Sequence, residues 1–323
     1  MSKNLKMFLV SFLLALPFWW GTNFLERELK DSFFGQLAEE NPQVATAQIN
    51  EIVENIEKTE EVSQPKIEPL TIEADAVLSV RFDAQGNKKI LLGNNEKEKL
   101  PIASLTKLMT AVVAEDIYPE GQIIKVSKEA VQQPGVGGLL KPDELLPVEE
   151  LLKMAIIESS NDAAYALSQG QTIDEENTFN QKSFIELMNL KADEWNLQDT
   201  EFFNPTGLDG GQDKENYSTA SDLADLAYRL IIDYPKIFEI SQQKSCQTTD
   251  SDGNLHHLVE STNRLIDVIP NLAGGKTGYT EGAGGCILTV LKEDDAYIVN
   301  VILGSADQET RFSEMEKLIN WIK

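Results

Sequence analysis

From Ala76 onward the apolar positions of the chain fall into short extended runs at both ends, with helical repeats between them. Ala76 to Phe82 (AVLSVRF) and Ile90 to Leu92 read as two strands, and Asp83-Ala84-Gln85-Gly86-Asn87 between them carries turn residues, so an N-terminal hairpin is expected. Apolar residues then recur with helical period from Ala103 to Ala114, Val148 to Ile157, Asp162 to Ser168, Ser183 to Trp195 and Thr219 to Ile232. Strand-like segments return around Cys246, at Cys286 to Leu291 and at Ala296 to Leu303, and a closing helix spans about Gln308 to Ile322. Strands at both ends with helices between them predict a mixed α/β (α+β) fold. The terminal strands pair in one antiparallel sheet flanked by helices, a helical subdomain is inserted, and the active site lies between the two parts.

The first 70 residues have a different pattern. Lys3 and Lys6 precede a run from Met7 to Leu25 without a charge, which as a helix would span ~28 Å, close to the hydrocarbon thickness of a bilayer. No small-residue cleavage site follows it closely, Trp19 and Trp20 suit a membrane interface, and the lysines place the N-terminus in the cytoplasm. Residues 1–25 are therefore expected to be an uncleaved signal anchor. Residues 26–70 are acidic, poor in core-forming residues and punctuated by Pro42, Pro65 and Pro69, which reads as a stalk. Ile49, Ile52, Val53 and Ile56 recur at helical spacing within it and predict a short local helix. Residues 71–323 form the remaining domain.

Composition narrows the function. A formal charge of −25 excludes nucleic acid as a partner, since duplex binding needs Lys and Arg against phosphates. Any site for an anionic substrate must then concentrate positive charge locally. Cys246 and Cys286 are far apart without metal-ligand spacing and are expected as two separate thiols in strands. The only histidines are His256 and His257; neighbours on a strand point to opposite faces, so neither a shared metal nor a joint catalytic role is expected. A serine nucleophile would need a different base. No metal and no cofactor are implied.

Three stretches carry candidate chemistry. Between Leu100 and Ala114 the only charge is Lys107, one helical turn after Ser104, so the two side chains share a face. A lysine in apolar surroundings loses affinity for its proton, and a neutral amine beside a hydroxyl is a general base for a serine nucleophile. Taken alone, the pattern also fits a lysine snorkelling from an amphipathic helix. Ser159-Ser160-Asn161 lies between two apolar helical stretches, where such residues usually cap helices. Its functional reading gives Ser159 a proton relay to the leaving amine and Asn161 a contact to a substrate carbonyl. Lys276-Thr277-Gly278 follows two glycines, but a phosphate-binding loop would need glycine at position 270, where Pro270 stands, and would lead into a helix rather than a strand. A lysine and a threonine on a strand, then a glycine, suit recognition of a carboxylate. Burial together with the Lys276 cation is expected to keep Lys107 neutral.

SxxK, SxN and KTG in this order resemble the signature of the penicillin-recognising serine hydrolases. LPIASLTKLMTA, ESSNDAA, TEFFNPTGLD, STNRLI, GGKTGYTEGAGGC and ETRFSEMEKLINW further resemble the D-alanyl-D-alanine carboxypeptidases of the low-molecular-mass penicillin-binding type, over roughly Ile72 to Lys323. The resemblance implies a β-lactamase/transpeptidase-like fold. It implies Ser104 as nucleophile, Lys107 as base and Ser159 as proton relay, with Asn161, Lys276, Thr277, Gly278 and Tyr279 binding substrate. The backbone N–H groups of Ser104 and Tyr279 would form the oxyanion hole. Ser160 stands where glycine is often found, Thr206 where histidine is common, and Tyr279 where some members have histidine.

The implied reaction removes the terminal D-alanine from peptidoglycan stem peptides, with β-lactams acylating Ser104 as substrate mimics. An endopeptidase acting on cross-links shares every motif. A β-lactamase would need a glutamate to activate water; Glu194 falls in the plausible interval but reads as a solvated helix residue. An inactive wall-binding module would not require all of these residues. The chain stops at Lys323 without the β-rich C-terminal domain and amphipathic anchor of the best-known members. The N-terminal segment is thus expected to hold the protein in a bacterial membrane as a single pass, with the catalytic domain extracytoplasmic.

Overall fold

The computed structural model describes residues 70–170, 180–210 and 215–322. The expected anchor, stalk and short helix near Ile52 lie outside these residues. Among the described residues no helix is long and apolar enough to cross a membrane.

The strands are β1 (Ala76–Phe82), β2 (Lys88–Asn94), β3 (Leu100–Pro101), β4 (Ile123–Lys125), β5 (Leu145–Pro147), β6 (Tyr217–Ser218), β7 (Ser245–Thr249), β8 (Leu255–Glu260), β9 (Leu272–Thr280), β10 (Gly284–Glu293) and β11 (Ala296–Ser305). The helices are α1 (Lys107–Ile117), α2 (Lys128–Val131), α3 (Val148–Ile156), α4 (Asn161–Gln169), α5 (Gln181–Glu194), α6 (Ala220–Asp233), α7 (Pro235–Ser241) and α8 (Thr310–Ile322). Five strands form one antiparallel sheet in the order β2-β1-β11-β10-β9, so the first and last strands of the domain pair side by side as expected.

Both faces of this sheet are covered. Along β1 and β11, Leu78, Val80, Phe82, Val299, Val301 and Leu303 join the larger core that α6 covers, while Val77, Ile298 and Ile302 join a second core against α8. The alternation follows the period of two in an extended chain. Burial on both faces explains why β10 and β11 read as continuous apolar runs rather than alternating ones. One polar rung crosses the buried centre. Ser79 Oγ donates to Asn300 Oδ1 at 2.7 Å, and Asn300 Nδ2 reaches Thr289 Oγ1 at 3.4 Å.

The inserted region is helical in bulk. It also carries the two-stranded ribbons β4–β5 and β7–β8; the strand-like segment expected around Cys246 is β7, whereas β4, β5 and β8 give too little periodicity to read. Its centre is α1, buried from Lys107 to Ala114, which accounts for a helix apolar on nearly all sides. The expected single helix from Ala103 does not begin as one: Ala103–Thr106 is a 3₁₀ turn, with Ala103 at φ 45°. Cys246 and Cys286 are separate thiols; Cys286 is buried in β10, whereas Cys246 is only half-buried.

Candidate active site

Ser104 sits in the 3₁₀ turn immediately before α1, and Lys107 is the first residue of that helix. The turn crosses the edge strand β9 closely. A Cβ on Gly278 would meet the Ser104 backbone nitrogen at 2.8 Å, and a Cβ on Gly207, which has φ 81°, would meet the Ala103 carbonyl at 1.9 Å. These two glycines let the strand and the 204–208 loop close on the turn from both sides. The contact also brings the Ser104 amide next to the Gly278–Tyr279 segment, so the two amides expected in the oxyanion hole are juxtaposed.

Lys107 is completely buried. Its Nζ lies 2.9 Å from Ser104 Oγ, 2.7 Å from Asn161 Oδ1 and 2.6 Å from the Thr206 carbonyl. A neutral amine has two N–H bonds and one lone pair. With the two N–H groups on Asn161 and Thr206, the lone pair is left for the Ser104 hydroxyl. Burial lowers Lys107 to about 7, opposed by the negative charge of Asp162.

Lys276, in the middle of β9, is also buried; its Nζ donates to Ser159 Oγ at 2.7 Å and to the Thr277 carbonyl at 3.0 Å. Burial first, then repulsion from Lys107 and Arg311, holds it well below the ordinary lysine range. Burial is the leading cause for both amines, and the repulsion between them, which acts on each, adds to it as expected.

Ser159 adopts φ 67°, a left-handed conformation that costs a non-glycine residue about 1–3 kcal/mol. Ser160 caps α4, its Oγ accepting from the Ala163 amide at 3.0 Å, which accounts for its place in the motif. Asn161 begins that helix. Its Oδ1 accepts from Lys107 and its Nδ2 donates to the Pro134 carbonyl at 2.7 Å. The side chain therefore holds the Lys107 amine through its oxygen and the Pro134 segment through its amide nitrogen.

The cleft is about 260 Å³ and is lined by Ser104, Ser159, Asn161, Thr277, Gly278 and Tyr279, with Lys107 and Lys276 beneath it. All eight residues singled out from the sequence therefore meet. Three further groups were not assigned from sequence. Thr262 pairs its Oγ1 with Thr277 Oγ1 at 2.7 Å on the cleft wall. Arg311 of α8 is buried, donates to the Gly278 carbonyl at 2.5 Å and lies over the Phe312 ring at 4.8 Å. Asn216 accepts from the Phe203 and Asn204 amides and donates to Thr106 Oγ1 at 2.9 Å, tying the loop before Thr206 to the start of α1. The STNRLI and ETRFSEMEKLINW blocks held the first two, and only long-range contacts give them a place in the site.

His256 and His257 do not diverge as strand neighbours. Thr248 pairs with His257 and Thr249 with Leu255, so His256 is the extra residue of a β-bulge, and the two rings touch.

Residues 58–307 match the S11 peptidase family, described as D-alanyl-D-alanine carboxypeptidase. The chain belongs to that family. It is 32% identical over 238 residues to the D-alanyl-D-alanine carboxypeptidase DacF of Bacillus subtilis (strain 168), covering 72% of this chain and 58% of that protein. It is 35% identical over 246 residues to DacC of Escherichia coli (strain K12), with the same two shares covered. The chain thus spans less than two thirds of the length of these relatives. Penicillin-binding protein D2 of Listeria monocytogenes, solved in its ampicillin-bound form, is similar in structure with a TM-score of 0.65 and 28% identity, over 80% of this chain and 99% of that one. Penicillin-binding protein 6B of Escherichia coli gives a TM-score of 0.67 at 28% identity, over 80% of each chain. The family member described here shares their mixed helix and antiparallel-sheet fold.

Proposed function

We propose that this family member is a serine D-Ala-D-Ala carboxypeptidase that trims peptidoglycan stem peptides through an acyl-enzyme on Ser104. The observation that carries this reading is the buried Lys107 amine, lowered to about 7 and 2.9 Å from Ser104 Oγ, with both its N–H groups engaged elsewhere. The Ser104 hydroxyl proton passes to Lys107 Nζ as Oγ bonds to the carbonyl carbon of the penultimate D-alanine. The carbonyl electron pair moves to oxygen, held by the Ser104 and Tyr279 amides. As the tetrahedral intermediate collapses, the C–N bond breaks. The leaving D-alanine amine takes its proton from Lys107 through Ser159, and water then repeats the sequence on the ester. The terminal carboxylate of the peptide sits by Lys276, Thr277 and Thr262, and its charge favours the protonated form of Lys276.

The ampicillin-bound relative supports β-lactams as inhibitors that acylate Ser104. For localisation, the uncharged run from Met7 to Leu25 supports a single-pass membrane anchor over residues 1–25, an acidic stalk over 26–70 and an extracytoplasmic peptidase domain over 71–323. Glu194 pairs with Lys191 at 3.0 Å and its side chain is 64% exposed, outside the cleft, so it does not serve as the water-activating glutamate of a β-lactamase.

Some relatives are D-alanyl-D-alanine endopeptidases, among them an Escherichia coli protein 29% identical over 247 residues. Incubating the protein with a pentapeptide ending in D-Ala-D-Ala, and separately with cross-linked dimers, tests the reading. Mass analysis is expected to show release of free D-alanine and a transient adduct on Ser104. Cleavage of dimers alone would reassign the protein as an endopeptidase, and no adduct with either substrate or with penicillin would overturn the proposal.

A further inference from the structure

The two histidines of the chain lie in one line with two carboxylates. His256 Nε2 is 3.2 Å from Glu144 Oε1, His256 Nδ1 is 2.6 Å from His257 Nδ1, and His257 Nε2 is 3.1 Å from Glu158 Oε2. Their side chains are shielded, His256 being 7% and His257 11% exposed, with Glu144 at 17% and Glu158 at 16%. The line has three junctions, and each holds only if one proton lies in it. At the central junction two bare nitrogens would oppose lone pairs, and two N–H groups would clash. At either outer junction a bare imidazole nitrogen would face a bare carboxylate. Three protons satisfy all three junctions, whether the third resides on an imidazole or on a carboxyl. With two protons, every arrangement leaves one junction open.

The ends of the line reach the active site. Glu158 directly precedes Ser159, the left-handed residue that accepts from Lys276. On its other side Ser159 is fixed by the Ser160 cap and by the Asn161 amide, which donates to the Val136 carbonyl at 2.7 Å. A left-handed serine persists only when its surroundings hold it from both directions. On the N-terminal side the Ile157 carbonyl accepts from the Thr262 amide at 3.1 Å, and the Glu158 carboxylate adds a side-chain hold through His257. Glu144 closes the loop that carries Gly135 and Val136 to the cleft rim, its Oε2 accepting from the Lys141 amide at 2.9 Å.

We propose that His256 and His257, with Glu144 and Glu158, form a three-proton clasp that positions Ser159, so that acyl transfer at Ser104 weakens as pH rises and the third proton leaves. The proposal rests on the peptidase reading of the cleft. The His pair is faced by Glu144 from the rim loop, Glu158 from the end of α3 and Asp250 from the β7–β8 turn. Thr248 of β7 also reaches His257, its Oγ1 lying 3.5 Å from Nδ1. Glu158 further feels Asp162, while Glu150 and Lys153 lie on α3 beside Cys246 of β7. Burial raises the Glu158 carboxyl, and its contact with His257 pulls the other way.

Because the chain has only two histidines, isotope labelling of histidine gives two imidazole signals that can be followed by NMR against pH. In the unmodified protein the two are expected to titrate as a coupled pair, and His256→Gln to change the curve of His257. The rate of Ser104 acylation by a fluorescent penicillin is expected to fall on the alkaline side. His257→Ala should lower it about tenfold, and His257→Gln, whose amide N–H still donates to Glu158, should recover most of the rate and lose the alkaline fall. Two independent single-site titrations, or wild-type acylation in His257→Ala at every pH, would overturn the clasp. A protein that is never acylated yet shows coupled titration would overturn the peptidase reading and leave the proton count standing.

Discussion

Lys276 Nζ donates to Ser159 Oγ at 2.7 Å across 117 residues of sequence, joining the edge strand of the main sheet to the start of a helix in the inserted region. Lys107 makes the parallel link, reaching Asn161 on that same segment at 2.7 Å. Two buried amines therefore close the cleft floor from opposite walls. Among the described residues no carboxylate lies within hydrogen-bond reach of either, so both depend on polar oxygens and on partial loss of their protons.

The first consequence is a pH dependence of acylation. In the proposed reaction Lys107 must be neutral to accept the Ser104 proton, and burial lowers it to about 7. The acylation rate should rise with pH through a midpoint near that value and fall about tenfold for each unit below it. Stopped-flow acylation by a chromogenic cephalosporin between pH 5 and 8 checks this, measured in His257→Gln so that the alkaline fall proposed for the histidine clasp does not oppose the rise. A flat profile over that range would remove Lys107 from the role of base.

The same shift appears in stability. The ordinary lysine value of 10.5 applies to the unfolded chain and about 7 to the folded one. Below about 7 both states hold the proton and the cost of the buried charge is fully present. Between about 7 and 10.5 the unfolded state binds more protons than the folded one, so stability rises with pH; above that window neither holds it. Lys107→Met removes this dependence. The stability of the natural protein relative to Lys107→Met should therefore grow by on the order of 5 kcal/mol across the window, at about 1.36 kcal/mol per pH unit. Urea unfolding of both proteins at several pH values measures it, and a constant difference would contradict the assigned shift.

How far the sequence carried these conclusions depended on the range of the interactions involved. The strand pair at the two ends of the domain, α3, α4, α6 and α8 were legible because each is a sustained periodic run against a core. Ser104 and Lys107 were legible because they meet within one turn, whereas SxN and KTG, whose side chains act across 54 and 117 residues, were legible through their order along the chain and the family they resemble. The 3₁₀ start before α1 was not, since it follows from Gly207 and Gly278 closing on Ala103 and Ser104 from distant segments. Asn216, Thr262 and Arg311 were missed for the same reason: their partners lie 110, 15 and 33 residues away. The meeting of His256 with His257 depended on a bulge, which breaks the alternation that a reader of the sequence assumes.

Thr277 and Thr262 share one hydrogen bond at 2.7 Å on the cleft wall, where the substrate carboxylate is proposed to sit. Thr277→Val keeps the shape and removes one hydroxyl, leaving Thr262 without its partner. The loss is about 1–1.5 kcal/mol of transition-state binding, or about tenfold in kcat/KM for the pentapeptide. An ester substrate without the terminal carboxylate should lose much less. Equal losses on both substrates would place Thr277 outside carboxylate recognition.

Gly278 is where β9 and the nucleophile turn come closest. A methyl group there would lie 2.8 Å from the Ser104 nitrogen, 3.0 Å from Ala103 Cβ and 3.1 Å from the Ile102 carbonyl. None of these is the end of a flexible side chain, so Gly278→Ala must push the turn off the strand. Overpacking of this kind costs about 1–3 kcal/mol of stability. The effect on chemistry should be larger than on folding, because the displaced amide is one of the two donors proposed for the oxyanion, and loss of one donor costs about 10²–10³ in rate. Thermal unfolding and penicillin acylation measured together separate the two. A melting temperature lowered by a few degrees with acylation down at least a hundredfold is expected, whereas acylation at the natural rate would show that the Ser104 amide does not depend on this contact.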